Sequence, residues 1–269
     1  MSANTGILVS ADWLKENLSN PAVRILDART PREYAAGHIP NAVLVGYEHF
    51  ARVDDSTPYL EVLPKEEAEE AFGSLGIDND TTVVVYGDRG GITAARVFWT
   101  LEYYGGKARL LEVGFYRWLK EGYPVTREAP RIPRARFEAS VNEHLRVDAG
   151  ALLKKLEDPD LIVLDTRSPE EYAGIVVQTR RLARIPGSIN LPWDNCVGRN
   201  GELFDQPDAL RKVFEERGIT KDKEIVTYCM VGERAAHTYV ALRILGYPHA
   251  KLYEKSFSEW GNSDDLPVE

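Results

Sequence analysis

The chain of 269 residues is poor in cysteine and contains only Cys196 and Cys229. Two thiols are too few for a disulfide-stapled fold, and a cytosolic chain keeps its cysteines reduced. The sequence also lacks the run of about 18 to 20 apolar residues that a membrane helix needs, and residues 1–7 have neither the basic nor the apolar stretch of a signal peptide. We therefore expect a cytoplasmic protein without a membrane partner.

The sequence is also poor in basic residues. It has 33 of them and 42 acidic residues, so its net charge is −9. Nucleic acids and anionic membranes both attract positive surfaces, so neither is an expected partner. The five histidines show no metal-ligand spacing and give no reason to predict a metal site. The chain is long enough for one large domain or for two domains of about 130 residues.

An internal repeat favours two domains. The segment LDARTPREY at residues 26–34 returns as LDTRSPEEY at residues 164–172, 138 positions later. Three further pairs follow in the same order: HIPNA at 38–42 with RIPGS at 184–188, VVVYGD at 83–88 with EIVTYC at 224–229, and GFYRW at 114–118 with SFSEW at 256–260. A period of about 140 residues is far longer than a solenoid repeat and indicates duplication of a whole domain.

The domain boundaries follow from the region between the copies. Residues 129–136 contain two prolines and three arginines with little periodicity, which suits an extended linker. We predict a first domain over residues 1–129, a linker over residues 130–140 and a second domain over residues 141–269.

Each copy alternates short apolar runs with amphipathic segments. Four runs are β-branched and apolar on both faces, as in buried parallel strands: RIL at 24–26, VVV at 83–85, LIVL at 161–164 and IVTY at 225–228. Helices are predicted after Ser10, a candidate N-cap, from about Pro64, and over residues 235–245. The pattern predicts an α/β fold of two homologous domains, each a parallel β-sheet with helices on both faces.

The copies differ at one chemically important position. The loop CMVGER at 229–234 lies between a predicted strand and a helix, whereas the matching loop DRGGIT has Asp88 in place of Cys229. A cysteine at a helix N-terminus lies near unpaired N–H groups and the positive end of the helix dipole, which favours its thiolate. Arg234 adds positive charge there, and Gly232 lets the backbone curl so that N–H groups point inward. The position also suits a small, buried and inert residue, so a structural Cys229 is the alternative.

A second difference is a cluster of three arginines, Arg180, Arg181 and Arg184, where the first copy has AAGH at residues 35–38. Loops at the C-terminal ends of parallel strands meet at one crevice, so we expect the cluster to face Cys229 and to attract an anionic substrate. The alternative is that these arginines are solvated charges on an insertion about eight residues longer than the first copy has.

Three motifs, CxxGxR between a strand and a helix, LDxR[ST]PxEY and IPGSIN, resemble the rhodanese family of sulfurtransferases in its tandem form, over essentially the whole chain. The resemblance implies that Cys229 takes the outer sulfur of thiosulfate, releases sulfite and passes the sulfur from a persulfide to cyanide or to a thiol, a protein thiol included. It implies neither a metal nor an organic cofactor. The residues implied to hold the persulfide and the small anionic donor are Met230, Val231, Gly232, Glu233 and Arg234, together with Arg181 and Arg184.

Departures from the family pattern leave alternatives open. Mercaptopyruvate-specific members resemble CGSGVT at this loop, and the absence of that serine favours thiosulfate over 3-mercaptopyruvate as the donor. Cysteine phosphatases have one residue more between Cys and Arg than this chain has between Cys229 and Arg234, and Glu233 would repel a phosphate dianion. A third class is a sulfur-binding or scaffold module without turnover, which suits the first copy because Asp88 is no sulfur nucleophile.

Other conspicuous residues have simpler explanations. Cys196 has no helix N-terminus after it and His237 lies on a helix face, so both are predicted to be structural. Trp193 fits a pocket wall and a core position equally well. The Asp-x-Arg pair at residues 165–167 recurs at residues 27–29, which indicates a brace of the shared scaffold.

Overall fold

Short β-branched runs form buried strands in both halves of the chain, because such side chains pack well on a sheet that helices cover on both faces. The computed structural model describes residues 6–53, 59–176 and 178–269. The strands of the first half are β1 (Leu8–Val9), β2 (Val23–Asp27), β3 (Ala42–Leu44), β4 (Arg52–Val53), β5 (Leu60–Glu61), β6 (Thr82–Tyr86) and β7 (Lys107–Leu111). Its helices are α1 (Ala11–Glu16), α2 (Pro31–Ala36), α3 (Lys65–Ser74), α4 (Ile92–Tyr103) and α5 (Phe115–Lys120).

The second half repeats this alternation. Its strands are β8 (Leu161–Asp165), β9 (Ile189–Asn190), β10 (Glu224–Tyr228) and β11 (Ala250–Leu252). Its helices are α6 (Ala149–Leu153), α7 (Pro169–Tyr172), α8 (Pro207–Glu215), α9 (Glu233–Ile244) and α10 (Ser256–Trp260). Over the described parts of the chain, no helix combines the length and the apolar character that crossing a membrane requires.

The two main sheets are parallel and have the same strand order. The first is β1-β7-β6-β2-β3 and the second is β11-β10-β8-β9, with a single parallel bridge between Arg146 and Leu252 at the place that corresponds to β1. Strands β4 and β5 form a separate antiparallel pair. The C-terminal ends of parallel strands meet at one edge of a sheet, so the loops after β6 and β10 occupy equivalent positions. The predicted α/β fold is confirmed.

Local signals fix where the helices begin. The hydroxyl of Ser10 accepts a hydrogen bond from the N–H of Trp13 and caps α1, as predicted. Thr30 and Ser168 each form a capping box with the glutamate three residues later, and a proline follows each cap directly. Pro64 stands directly before α3 rather than inside its first turn.

A buried carboxylate braces each half. Asp165 ends β8 and accepts hydrogen bonds from the backbone N–H and the guanidinium of Arg167 and from the hydroxyl of Tyr228. The equivalent residues of the first half make the same contacts: Asp27, Arg29 and Tyr86. A buried charge is costly unless it is paired, so each carboxylate holds its partners in one arrangement. The recurring Asp-x-Arg pair is a brace of the scaffold.

The two halves meet through α4 and α9, the helices that follow the two equivalent loops. Apolar side chains of both helices, such as Phe98 and Val240, belong to one continuous core. At one end of the contact, Glu102 of α4 accepts a hydrogen bond from Tyr239 and pairs with Arg243. Residues 127–142, which connect the halves, form neither helix nor strand. The halves are therefore joined mainly by a packed helix pair rather than by their linker.

We expect Tyr228→Phe and Tyr86→Phe each to lower the free energy of unfolding by about 1.5 to 3 kcal/mol, because each removes a hydroxyl that donates to a buried carboxylate. Tyr116→Phe is the matched control, since that side chain is 71% exposed and its loss of a hydroxyl should leave stability unchanged. Urea unfolding of the three variants measures the difference. Equal stability of all three would show that the braces contribute nothing.

Candidate active site

Cys229 follows β10 directly and precedes the turn that leads into α9. In that turn Gly232 has φ +88°, and its N–H donates to the Sγ atom of Cys229 over 3.1 Å. A side chain on Gly232 would collide with the carbonyl oxygen of Glu254, and its Cβ would lie 2.6 Å from Nη1 of Arg96. Only glycine therefore allows the turn that points a backbone donor at the sulfur.

The segment that leads into α10 holds the cysteine from the other side. The N–H of Cys229 donates to Oγ of Ser256, and its carbonyl accepts from the N–H of Phe257. Both backbone groups of Cys229 are thus fixed, and only 1% of the residue is exposed. Ser256 is absent from the predicted site residues. The repeat could have indicated it, because the equivalent residue of the first copy is Gly114 and the two copies therefore differ at this position.

Arg234 lies in the first turn of α9 and forms a bidentate pair with Glu171, with N–O distances of 2.6 and 2.9 Å. Burial alone would lower the pKa of Arg234, but its hydrogen bonds to Glu171 and to the sulfur of Cys229 raise it above the ordinary value. Glu171 also accepts a hydrogen bond from the backbone N–H of Ser168, as part of the capping box of α7. The structure thus places a permanent positive charge beside the thiol and fixes its direction through a glutamate that sequence reasoning missed.

The remaining loop residues make contacts of other kinds. Met230 is half-buried and packs against the apolar core of the second half, and Val231 is also half-buried. Glu233 reaches the first half, where its Oε1 accepts a hydrogen bond of 3.0 Å from the hydroxyl of Thr93. A cavity of about 280 Å³ lies mainly against the first half, beside Asp88 and Thr93, and Glu233 is the residue of the second half that lines it.

The predicted arginine cluster binds the C-terminal segment. Its side-chain partners are Asp264 for Arg180, the carbonyl oxygens of Trp260 and Leu266 for Arg181, and Glu269 for Arg184. None of these contacts involves Cys229 or its loop. The insertion that carries the arginines lies against a segment that offers them carbonyl and carboxylate acceptors, and binding of an anionic substrate by the cluster stays a prediction.

Backbone pairing explains the position of Arg184. Its N–H and carbonyl pair with those of Glu269, and its counterpart His38 pairs in the same way with Thr126. In both halves this position fastens the segment that follows the last helix of the repeat. This backbone role belongs to the scaffold that both copies share and does not depend on the Arg184 side chain.

Three other candidates are buried or packed at the interface. Burial raises the pKa of the Cys196 thiol to about 12, so this cysteine is protonated at neutral pH. Nε2 of His237 donates to the carbonyl oxygen of Leu203 over 2.9 Å. Trp193 packs with its edge toward the ring of His237 and also contacts Gly90 of the first half. Trp193 is therefore a side chain of the interface between the halves.

The arrangement around Cys229 can stabilise negative charge on one sulfur atom. The backbone N–H of Gly232 donates to Sγ, and the positive charge of Arg234, which Glu171 holds in place, acts on the same sulfur. The equivalent loop of the first half offers Asp88 and Thr93 in place of the cysteine and the arginine. Within residues 6–53, 59–176 and 178–269, no group of three His, Cys, Asp or Glu side chains could hold a metal ion.

Comparison with known proteins gives a consistent set of similarities. The family model described as the rhodanese-like domain matches residues 10–121 and 148–263. The sulfur carrier protein TtuD of Thermus thermophilus is 37% identical over 99% of this chain and 97% of its own length. The thiosulfate sulfurtransferase of Azotobacter vinelandii is 35% identical over 99% of this chain and 98% of its own length.

A solved structure is similar over nearly the same extent. The crystal structure of SseA from Escherichia coli, described as a 3-mercaptopyruvate sulfotransferase with the rhodanese fold, superposes with a TM-score of 0.82 at 30% identity. The match covers 93% of this chain and 98% of that one. Both repeats, and not one of them alone, are therefore similar to known proteins.

We expect Gly232→Ala to destabilise the protein more than Gly218→Ala and to slow the reaction of Cys229 with iodoacetamide by about tenfold. Both glycines have positive φ angles, +88° and +70°, so alanine costs about 1 to 2 kcal/mol at either site. Only at Gly232 does the added Cβ collide with other atoms, since nothing lies within 4 Å of it at Gly218. Urea unfolding measures the first effect, and mass spectrometry of the alkylated peptide measures the second.

Equal destabilisation by the two substitutions, together with unchanged alkylation of Cys229, would contradict this account of the turn. Stronger destabilisation by Gly232→Ala with unchanged alkylation would show that the reactivity of Cys229 does not depend on the undistorted turn.

Proposed function

The chain belongs to the rhodanese family of sulfurtransferases, and on that basis we propose that it moves the outer sulfur of thiosulfate to cyanide or to a thiol through a persulfide on Cys229. The observation that carries the proposal is the N–H of Gly232 directed at Sγ of Cys229, with the guanidinium of Arg234 beside it. Because the first half has neither the cysteine nor the arginine, we assign the reaction to the second half.

The first half-reaction moves one sulfur atom onto the enzyme. The thiolate of Cys229 attacks the outer sulfur of thiosulfate and forms a new sulfur–sulfur bond. The bond between the two sulfur atoms of thiosulfate breaks, and its electron pair leaves with sulfite. Charge balances, since a thiolate and a dianion become a persulfide anion and a dianion.

The second half-reaction returns the cysteine to its starting state. Cyanide or a thiolate attacks the outer sulfur of the persulfide, the bond to Sγ of Cys229 breaks, and its electron pair stays on the cysteine. Thiocyanate or a new persulfide leaves. A protein thiol is included among the acceptors because a relative of 37% identity is described as a sulfur carrier protein.

The residues around the sulfur have separate tasks in this proposal. The N–H of Gly232 stabilises the anionic sulfur before and after transfer. Arg234, held in place by Glu171, binds the sulfonate end of the donor and offsets the charge of the leaving sulfite. A phosphate ester fits less well, because the loop has four residues between Cys229 and Arg234, one fewer than the loop of cysteine phosphatases.

We expect thiosulfate to add one sulfur atom to Cys229 and 3-mercaptopyruvate to add it more slowly, because the loop between Cys229 and Arg234 has no hydroxyl group to assist the second donor. Mass spectrometry of the intact protein and of its peptides, after separate incubation with each donor, locates the added sulfur. Cys229→Ser should abolish the adduct and turnover. Cys196→Ser is the matched control and should retain most of both, because that thiol is buried and protonated.

An adduct from 3-mercaptopyruvate alone would replace the proposed donor and keep the persulfide on Cys229, in line with the similarity to the Escherichia coli enzyme. Absence of an adduct from both donors would contradict the proposed reaction. A comparable loss in both serine variants would show that Cys196 takes part.

We further infer that the first half does not transfer sulfur, and expect Asp88→Cys to restore no turnover in a Cys229→Ser background. A thiol at position 88 would have Thr93 where the second loop has its arginine, and Gly114 where the second half has Ser256. A thiosulfate–cyanide assay of the double variant, with Cys229→Ser as its reference, measures this. Activity at the level of the parent protein would show that the first half is a competent catalytic domain.

A further inference from the structure

An arginine of the first half lies behind the cysteine loop of the second half. Arg96, in the second turn of α4, is fully buried, and a Cβ added to Gly232 would be 2.6 Å from its Nη1. Among the residues that the structure describes, Nε, Nη1 and Nη2 of Arg96 have no hydrogen-bond partner. The guanidinium also lies over the ring of Trp99, with 5.0 Å between Cζ and the ring centroid.

A guanidinium in this position is costly for the fold. Arginine does not escape the cost by losing its proton, so Arg96 remains a buried cation. Burial lowers its pKa, and the charges of Glu254, Glu233 and Cys229 act in the opposite direction. Oε1 of Glu254 is already bound by Arg146, with N–O distances of 2.8 and 2.7 Å, while its buried Oε2 has no hydrogen-bond partner among the described residues. An apolar side chain of similar size would fill the space more cheaply, which points to a role for the charge.

The repeat identifies the counterpart of Arg96. Cys229 follows Asp88 by 141 positions (229 − 88), and His237 follows Arg96 by the same 141 positions (237 − 96). Arg96 on α4 and His237 on α9 are therefore equivalent residues, each one turn into the helix that follows its own loop. Because α4 packs against α9, each of the two helices presents this position to the opposite half.

The two equivalent positions differ in charge. Burial lowers the pKa of His237 to about 4, against the opposing effect of the carbonyl groups of Leu203 and Gly90, so the imidazole is neutral at pH 7. Gly90 belongs to the loop of the first half, which has no cysteine. A neutral ring thus faces the loop without the nucleophile, and the permanent cation of Arg96 faces Gly232 in the loop with it.

We propose that Arg96 is a positioning residue for sulfur transfer, through which the half without a cysteine supplies a buried positive charge that stabilises anionic sulfur on Cys229. Arg96 does not touch the sulfur and acts across the Gly232 turn, whose N–H points at Sγ. A fixed charge in the buried space between α4 and the loop needs no reorganisation when charge develops on the sulfur. This inference rests on the proposed function, because it concerns the thiolate and the persulfide of that reaction.

Replacement of the charge by an apolar side chain tests the proposal. We expect Arg96→Met to slow alkylation of Cys229 by iodoacetamide about tenfold and to lower kcat with thiosulfate and cyanide about tenfold, with KM for thiosulfate within about twofold of the parent. Arg96→Lys, which keeps a cation, should recover much of both rates. Arg243→Met is the matched control, because it removes another interface arginine, paired with Glu102, and should leave both rates within about twofold.

Thermal unfolding separates this role from a structural one. Removal of an unpaired buried charge should leave the Tm of Arg96→Met equal to or above that of the parent. Parent-like alkylation and kcat in Arg96→Met would overturn the proposal. Failure of Arg96→Met to fold, or equal rate losses in Arg96→Met and Arg96→Lys, would overturn it as well.

The alkylation measurement also distinguishes this proposal from the proposed function. Iodoacetamide is not a sulfur donor, so the expected order of alkylation rates would support the role of Arg96 even if thiosulfate gave no adduct. That combination would contradict the proposed donor alone.

Discussion

The buried carboxylate of Asp165 fixes where the central strands of the second half end. It binds Arg167 and the hydroxyl of Tyr228, the residue immediately before Cys229. Because a buried carboxylate cannot lose a partner without leaving charge unpaired, β8 and β10 end in one register, with Asp165 opposite Tyr228. The thiol-bearing loop therefore starts from a fixed point. The first half has the same brace under a loop without cysteine, so the brace belongs to the scaffold that both halves share.

The sheets, their helices and the place of Cys229 could be predicted because they depend on local signals, namely β-branched runs, caps such as Ser10 and motifs that recur in order. The partners of Arg181 and Arg184 could not, because they depend on how the C-terminal segment packs. The contributions of Ser256 and Arg96 were visible only as differences between the copies. The contact of Ser256 with Cys229 depends on how α10 packs beside the end of β10, and that of Arg96 with the Gly232 turn depends on the packing of α4 against α9. Both are properties of tertiary structure that a sequence comparison does not contain.

Duplication gives this protein two equivalent loops with unequal contents. Packing of α4 on α9 provides each loop with a neighbour from the other half. Thr93 binds Glu233 of the cysteine loop, and Arg96 lies against its glycine turn. In the other direction, Trp193 packs against Gly90. The half without the cysteine therefore still shapes the surroundings of Cys229, through side chains that a single domain would not possess.

The continuous core under α4 and α9 limits how far the chain can be divided. A severed second half would present side chains such as Val240 to water, in an apolar patch that favours aggregation. It would also lack the hydroxyl that holds Glu233. A minimal fragment for engineering would have to keep α4 or acquire a polar face on α9. The half that contains Cys229 is thus not a portable module, and any redesign must preserve the pair of halves.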